Sequence, residues 1–374
     1  MRTLSRSIFI GNLRTINDQS CRRRAVPRLK ILTVQFKSLG DTVVSLPTLN
    51  AIRNNFPDCE LHALVPEAAA PLLQHHPVLN RVWGVPRVRG KALLRQAWPI
   101  LRALRAERFD ACVDMAGNDR SAITTFLSGA PERLGVVQQN GFWGRRFCYT
   151  ESVMPASRDR HEALRILDIL SPWKISPPAA LEIKLFPDPA LPNPFSRDPN
   201  KPTVICNTGA ASPKKHWPTS HWARFHHLAT DRGYDLVYTR GISPREVELM
   251  QKFQTLVPAA KILPTLDLPQ LLVALQSADV VISNDTGPMH FAAGLGVKTI
   301  GIFGPSSGQR WFPIGAENRV LQAQDCICQR GTFVCRKADH CMTQIAPEAV
   351  LENLESLWPI NSALRSSARQ TIDR

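Results

Sequence analysis

Four short segments hold residues whose types and spacing could move a proton, hold an anion or bind hydroxyl groups. In KSLGDT (Lys37 to Thr42), Asp41 lies just behind an apolar run and at the start of a helical pattern. A carboxylate at a strand's end could take a proton from an incoming hydroxyl. The same position also suits a residue that only caps the helix. In SNDTGPMHFAAGLG (Ser283 to Gly296), Asp285, Thr286 and Gly287 precede Pro288, which suits a first helical turn. The free N–H groups and positive dipole end of such a helix form a phosphate site, with Thr286 as a hydroxyl donor and His290 near the first turn. The alternative is a well-capped structural helix with a core histidine. In PKKHWP (Pro213 to Pro218), Lys214 and Lys215 offer mobile point charges for a diphosphate, or a solvated pair in a loop. Glu246 follows an apolar run ending in TRG and could accept hydrogen bonds from ribose hydroxyls; alone it reads as an ordinary surface carboxylate.

The elements that must carry these residues alternate. LKILTVQF (29–36), ELHALV (60–65) and DACVDMAG (110–117) suit buried strands, with a helical pattern from about Thr42 to Phe56. Further along, TVICNTG (203–209), YDLVYTRG (234–241), KILPTL (261–266), DVVISND (279–285) and KTIGIFG (298–304) repeat the theme, with helices such as 268–278 between them. Alternation of this kind predicts parallel sheets covered by helices. The 374-residue length suggests two domains at about 150 residues each. Nine of thirty prolines fall between Pro172 and Pro202, the signature of an extended linker. The expected domains are therefore 28–171 and 203–345, joined by a Pro-rich linker at 172–202. In this fold class ligands bind outside the carboxyl ends of the strands. Neither half carries a GxGxxG or Walker motif.

The formal net charge is +15, which implies an anionic partner without choosing one. No apolar run approaches the ~18 residues a membrane-spanning helix needs. Residues 1–27 form a basic N-terminal extension with six Arg and one acid, read either as a transit-like leader or as sequence ahead of a start at Val26. Removing it lowers the charge to +10, so the basic bias persists. From Arg81 to Arg108 eight basic residues accompany a single acid, Glu107. On a helix, Lys91, Arg95, Arg102 and Arg105 share a face, with Leu94, Trp98, Leu101 and Leu104 largely opposite. Pro99 should kink that helix or start a second one. This is either a solvated face over a core stripe or a surface for an acidic lipid. Cys326, Cys328, Cys335 and Cys341 could hold zinc or iron, but their spacing is not that of paired C-x-x-C knuckles. Reduced or disulfide-linked structural cysteines are the other reading.

SLGD after the first strand, KHWP opening the second domain, and NDTGPMHFAAGLG followed by TIGIFGP together resemble glycosyltransferase family 9. That family includes the ADP-heptose:lipopolysaccharide heptosyltransferases. The resemblance runs from about Leu29 to Leu357. It implies an α/β fold of GT-B architecture, two Rossmann-like domains with parallel sheets facing across a cleft. Residues 28–171 would bind the acceptor and 203–345 the nucleotide sugar. A C-terminal helix at 346–360 would pack back on the N-terminal domain, before a polar tail at 361–374. Carried over residue by residue, Asp41 matches the catalytic base and Lys215 the lysine at the nucleotide diphosphate. Asp285, Thr286, Gly287 and His290 match the donor-binding stretch, and Glu246 a nucleotide-contacting carboxylate. The implied activity is inverting, metal-independent and cofactor-free transfer of heptose from ADP-heptose to a hydroxyl of the lipopolysaccharide inner core. The enzyme would be a cytoplasmic monomer, peripheral to the inner membrane, with ADP-heptose and an anionic glycolipid as partners. Another nucleotide sugar, or a protein acceptor as in autotransporter heptosyltransferases, would suit the same fold. A basic nucleic-acid-binding protein is a remote alternative, since no RNP stretch or helix-turn-helix signature is present and aromatics are only 7%.

Overall fold

The continuous apolar runs at the centre of each half form the middles of two wholly parallel sheets. A computed structural model describes residues 28–86, 94–137, 141–154, 157, 159–324, 326 and 341–360, and divides the chain between Leu181 and Glu182. The first sheet holds β1 (Lys30–Val34), β2 (Glu60–Pro66), β3 (Arg81–Val85), β4 (Ala111–Asp114), β5 (Glu132–Val136) and β6 (Glu151–Val153), in the order β3-β2-β1-β4-β5-β6. The second holds β7 (Thr203–Asn207), β8 (Asp235–Thr239), β9 (Lys261–Ile262), β10 (Val280–Asn284), β11 (Lys298–Phe303) and β12 (Arg319–Gln322), in the order β12-β11-β10-β7-β8-β9. Counted from its own first strand, each sheet follows the same winding. All five residues of β7 and of β10 are buried, as expected for strands covered on both faces.

The described helices of the first unit are α1 (Leu39–Val44), α2 (Leu46–Asn55), α3 (Leu94–Glu107), α4 (Asp119–Leu127) and α5 (Glu162–Leu167). Those of the second are α6 (Thr219–Asp231), α7 (Pro244–Leu256), α8 (Leu268–Gln276), α9 (Gly287–Gly294), α10 (Gly308–Trp311) and α11 (Pro347–Leu357). The helix expected from about Thr42 to Phe56 starts earlier and is broken at Ser45, because Pro47 lacks the N–H that would continue the ladder. α3 instead runs through Pro99 as one helix. Leu101 and Leu104 are buried, and Arg102 and Arg105 are exposed, as the pattern predicts. Trp98, grouped above with the apolar residues, is 63% exposed, because at 3.6 residues per turn it falls on the face of Arg102 and Arg105. Lys91 lies outside the described residues. Among the described helices, none is long and apolar enough to cross a membrane.

The Pro-rich stretch at 172–202 holds buried apolar residues. Trp173 and Ile175 are buried, with the Trp173 ring edge-on to Phe56 at 5.6 Å and its indole N–H donated to Glu132. Ile183 and Leu185 are also buried, and the Leu185 N–H bonds to the Gly294 carbonyl at 2.7 Å. Prolines here fix extended backbone, but the apolar residues between them are anchored to the adjoining units. Within the second unit, the apolar residues Val350, Leu351, Leu354 and Leu357 of α11 are buried in the core, against α6 and β11. The flanking chain is held there too: Trp217 Nε1 donates to Ile345 O at 2.9 Å, and Tyr234 Oη donates to Trp358 O at 2.6 Å.

Candidate active site

In the second unit, β7 and β10 are neighbouring central strands from which the chain winds in opposite directions. Such a topological switch point is where open α/β sheets bind ligands. The loop after β7 runs from Thr208 into a short 3-10 turn, Pro213–Lys215, and the loop after β10 leads through Asp285 and Thr286 into α9. Lys215 crosses this point. Its Nζ lies 2.5 Å from Asp285 Oδ2 and 3.5 Å from the Asp285 carbonyl. The same Oδ2 accepts a hydrogen bond from Ser306 Oγ. The Asp285 side chain is only 7% exposed while that of Lys215 is 30% exposed. A buried carboxylate thus holds a lysine whose head still reaches solvent, beside a helix N-terminus.

Thr286 is the N-cap residue of α9, but its hydroxyl does not cap the helix. It accepts a hydrogen bond from Asn207 Nδ2 at 3.1 Å and lies 3.5 Å from Ser283 Oγ, a long contact to which it can donate. Gly287 and Pro288 open the first turn and are half-buried. A Cβ on Gly287 would meet the Phe291 ring at 3.0 Å, so a larger residue there would need that ring to shift by a few tenths of an ångström. His290 is buried, its ring 6.4 Å from that of Trp311. It lies in the core beneath the half-buried stretch, the environment of the structural alternative.

Glu246 is the third residue of α7 and closes a capping box. Its Oε2 accepts from Ser243 N–H at 3.2 Å and Ser243 Oγ at 2.5 Å. The carboxylate also lies directly over the bare backbone of Gly209 and Gly241, where any Cβ would strike its oxygens. Gly241→Ala is therefore expected to displace the carboxylate end of the flexible Glu246 side chain, at a cost of about 1 kcal/mol for the lost capping bonds. Nucleotide binding, followed by the ADP-induced shift in melting temperature, should weaken. Unaltered binding by a folded Gly241→Ala protein would remove Glu246 from the site.

Two buried asparagines that the sequence reading left unassigned join these loops. Asn284 Nδ2 donates to Thr208 O at 2.9 Å, and its Oδ1 accepts from Trp217 N–H at 3.2 Å. It thereby ties both ends of the loop that carries Lys215. Asn207, opposite Ser283 and Thr239 in the sheet, donates to Ser283 Oγ as well as to Thr286 and accepts from Thr239 Oγ1 at 3.3 Å. His216 is buried in the same loop with Nδ1 3.2 Å from Thr208 O. Burial pushes its pKa down. The one legible signal was positional: each apolar strand at the switch point ends in Asn.

In the first unit, Ser38 caps α1 and Asp41 answers it, its Oδ2 accepting from Ser38 N–H at 3.1 Å and Ser38 Oγ at 2.5 Å. Asp41 is thus the third residue of the helix rather than its cap, and is half-buried. Both bonds fall on Oδ2. The loop before it is held by Gln35 Oε1, which accepts the Lys37 N–H at 3.2 Å, and by Lys37 Nζ, 3.5 Å from the buried Glu162. After β4, at the switch point of this sheet, the fully buried Asp114 accepts from Tyr149 Oη, Ser121 Oγ and the Ala116 and Gly117 N–H groups. Burial raises its pKa, and it holds the turn.

With this geometry in view, the comparisons are decisive about family. The model of glycosyltransferase family 9 (heptosyltransferase) matches residues 97–337, more than half of the chain. The chain belongs to glycosyltransferase family 9. It is 24% identical over 349 residues to lipopolysaccharide heptosyltransferase 2 of Escherichia coli strain K12, covering 88% of this chain and 98% of that protein. Among solved structures, the glycosyltransferase family 9 protein of Veillonella parvula superposes with a TM-score of 0.75 at 20% identity, covering 89% of this chain and 98% of its own. The E. coli heptosyltransferase solved with ADP gives 0.69 at 22% identity, covering 88% and 100%. These structures have the same two-sheet α/β, GT-B fold.

Within this family member the structure brings Lys215, Asp285, Thr286 and Gly287 together at one switch point, and sets Glu246 over the glycines of the two adjoining loops. Asp41 stands in the other unit on the loop after β1. Of the four clustered cysteines, Cys328 and Cys335 lie outside the described residues. Among the described residues no group of His, Cys, Asp and Glu is arranged to hold a metal.

Proposed function

We propose that this family 9 enzyme transfers a heptose from ADP-heptose to a hydroxyl of the lipopolysaccharide inner core, with inversion at the anomeric carbon. The observation that carries this reading is the Lys215–Asp285 pair set across the β7/β10 switch point beside the start of α9. The second unit is the donor-binding domain in this proposal and the first unit binds the acceptor. The donor diphosphate lies against Lys215 Nζ, the Thr286 hydroxyl and the α9 N-terminus, and Glu246 accepts from the ribose hydroxyls.

Asp41 takes the proton from the acceptor hydroxyl as that oxygen bonds to the anomeric carbon. The bond from that carbon to the diphosphate oxygen breaks, and ADP leaves with the electron pair. Lys215 and the helix N-terminus offset the charge that develops on the leaving group. Asp285, held by Ser306, keeps the lysine head in place for this. The enzyme works as a monomer at the cytoplasmic face of the inner membrane, in peripheral contact with its glycolipid acceptor.

Donor identity is the direct test. ADP-heptose should raise the melting temperature by an amount that grows with its concentration, equivalent to about 2.7 kcal/mol at a hundredfold excess over Kd. UDP- and GDP-sugars should leave it unchanged. Stabilisation by UDP- or GDP-sugars in place of ADP-heptose would overturn the donor assignment.

A further inference from the structure

The first unit exposes aromatic side chains that no part of the family 9 chemistry uses. The loop ahead of β6 carries Phe142, Trp143 and Phe147. Trp143 is 88% exposed and Phe147 56% exposed, and their rings meet edge-on at 5.9 Å. The loop is built to hold them outward. Arg145 is buried beneath, its guanidinium bonded to Asp119 at the start of α4 and to the Gly117 carbonyl, and the Phe142 N–H bonds to Asp119 Oδ1 at 3.2 Å. Asp119, the carboxylate that meets this loop, is thereby neutralised. On α4 itself Phe126 is half exposed. An exposed cation completes the surface, Arg146, 4.7 Å over the Phe147 ring; Arg133, 5.7 Å over the Phe126 ring, is half-buried and donates to the Cys148 and Ala130 carbonyls.

Rigidly presented Trp and Phe with an arginine stacked on the Phe ring are amphipathic in the manner of residues that settle at a membrane interface. The rings enter the boundary between headgroups and acyl chains, and the guanidinium group stays at phosphate level. A net positive charge of +15 draws the molecule to such a surface. We infer that the loop carrying Trp143 and Phe147, with the outer face of α4, is a docking surface for an anionic lipid bilayer. This deepens the proposed function, resting on the reading that the acceptor is a membrane glycolipid. It also assigns the contact to a surface other than the basic stretch at Arg81–Arg108.

The experiment is co-sedimentation of the full-length protein with phosphatidylglycerol–phosphatidylethanolamine vesicles and, separately, with phosphatidylcholine vesicles, none containing acceptor. The parent protein should bind the anionic vesicles and not the neutral ones. Trp143→Ser with Phe147→Ser should reduce the bound fraction about ten-fold, with melting temperature and ADP-induced stabilisation kept as controls for folding. Equal sedimentation of parent and double variant would overturn the proposal. So would a parent that self-associates in light scattering while the double variant does not and still binds vesicles, since the face would then be a contact between copies. Vesicle binding is read without donor or acceptor. Loss of vesicle binding with normal transfer to a water-soluble acceptor fragment therefore supports the surface. Normal vesicle binding with no heptose transfer by the parent would overturn the transfer reading and leave the surface standing.

Discussion

Asp41→Asn is expected to lower heptose transfer about 10²–10⁴-fold, the usual contribution of a positioned base, while nucleotide binding is unchanged. Asparagine is the informative replacement because of what Asp41 does locally. Its Oδ2 accepts both the N–H and the hydroxyl of Ser38, and removing that oxygen would loosen the start of α1 by about 1 kcal/mol. An amide oxygen keeps these bonds and loses only the basicity. If Asp41 were merely half of a capping box, Asn would be nearly silent in kcat and Ala would act through stability alone. If it is the base, both variants should lose kcat to a similar extent and only Ala should melt earlier. Steady-state kinetics with ADP-heptose, read beside thermal melts, separate these outcomes. Retention of most of the parent kcat by Asp41→Asn would sink the assignment.

Lys215→Met should reduce kcat about 10²–10³-fold and also weaken ADP binding, because the cation that offsets the leaving group's charge is gone. The structure adds a complication that the sequence does not show. Asp285 is almost fully buried, so losing its partner leaves a carboxylate with Ser306 as its remaining side-chain donor. Destabilisation of about 1–3 kcal/mol should follow, and part of any lost activity could come from that. Adding Asp285→Asn removes the unpaired charge. The double variant should recover melting temperature but not transfer, as followed by calorimetry and by release of ADP. Recovery of transfer in the double variant would make the pair a structural tie rather than a diphosphate clamp.

What could be read from the sequence follows from burial. β1, β7 and β10 are covered on both faces, so their residues form unbroken apolar runs. β3, β5, β6 and β12 are partly exposed, their pattern blurs, and none was anticipated. KILPTL suggested a six-residue strand, but only Lys261 and Ile262 pair. The spacing of apolar residues in α11 showed that one face must be buried, but spacing cannot name the surface that buries it, which is the core of the helix's own unit. In the site, Lys215, Asp285 and Thr286 were legible because their residue types suit a strand-to-helix turn. The supports were not, since Asn207, Asn284, Gly209 and Gly241 acquire their roles only when loops distant in the chain meet. Exposure of Trp143 is likewise a property of the fold, invisible to periodicity.

The shared winding of the two sheets has a further consequence. Asp41 follows the first strand of its unit and Lys215 follows the first strand of the other, so two topologically equivalent loops carry opposite charges. In the proposed mechanism one scaffold is used twice, first to present a proton acceptor and then to present a cation. Each loop is anchored by its own unit, Asp41 through Ser38 and Lys215 through Asp285 and Asn284. On the proposed roles, acceptor preference and donor preference can change independently, by alteration of one loop while the other keeps its geometry.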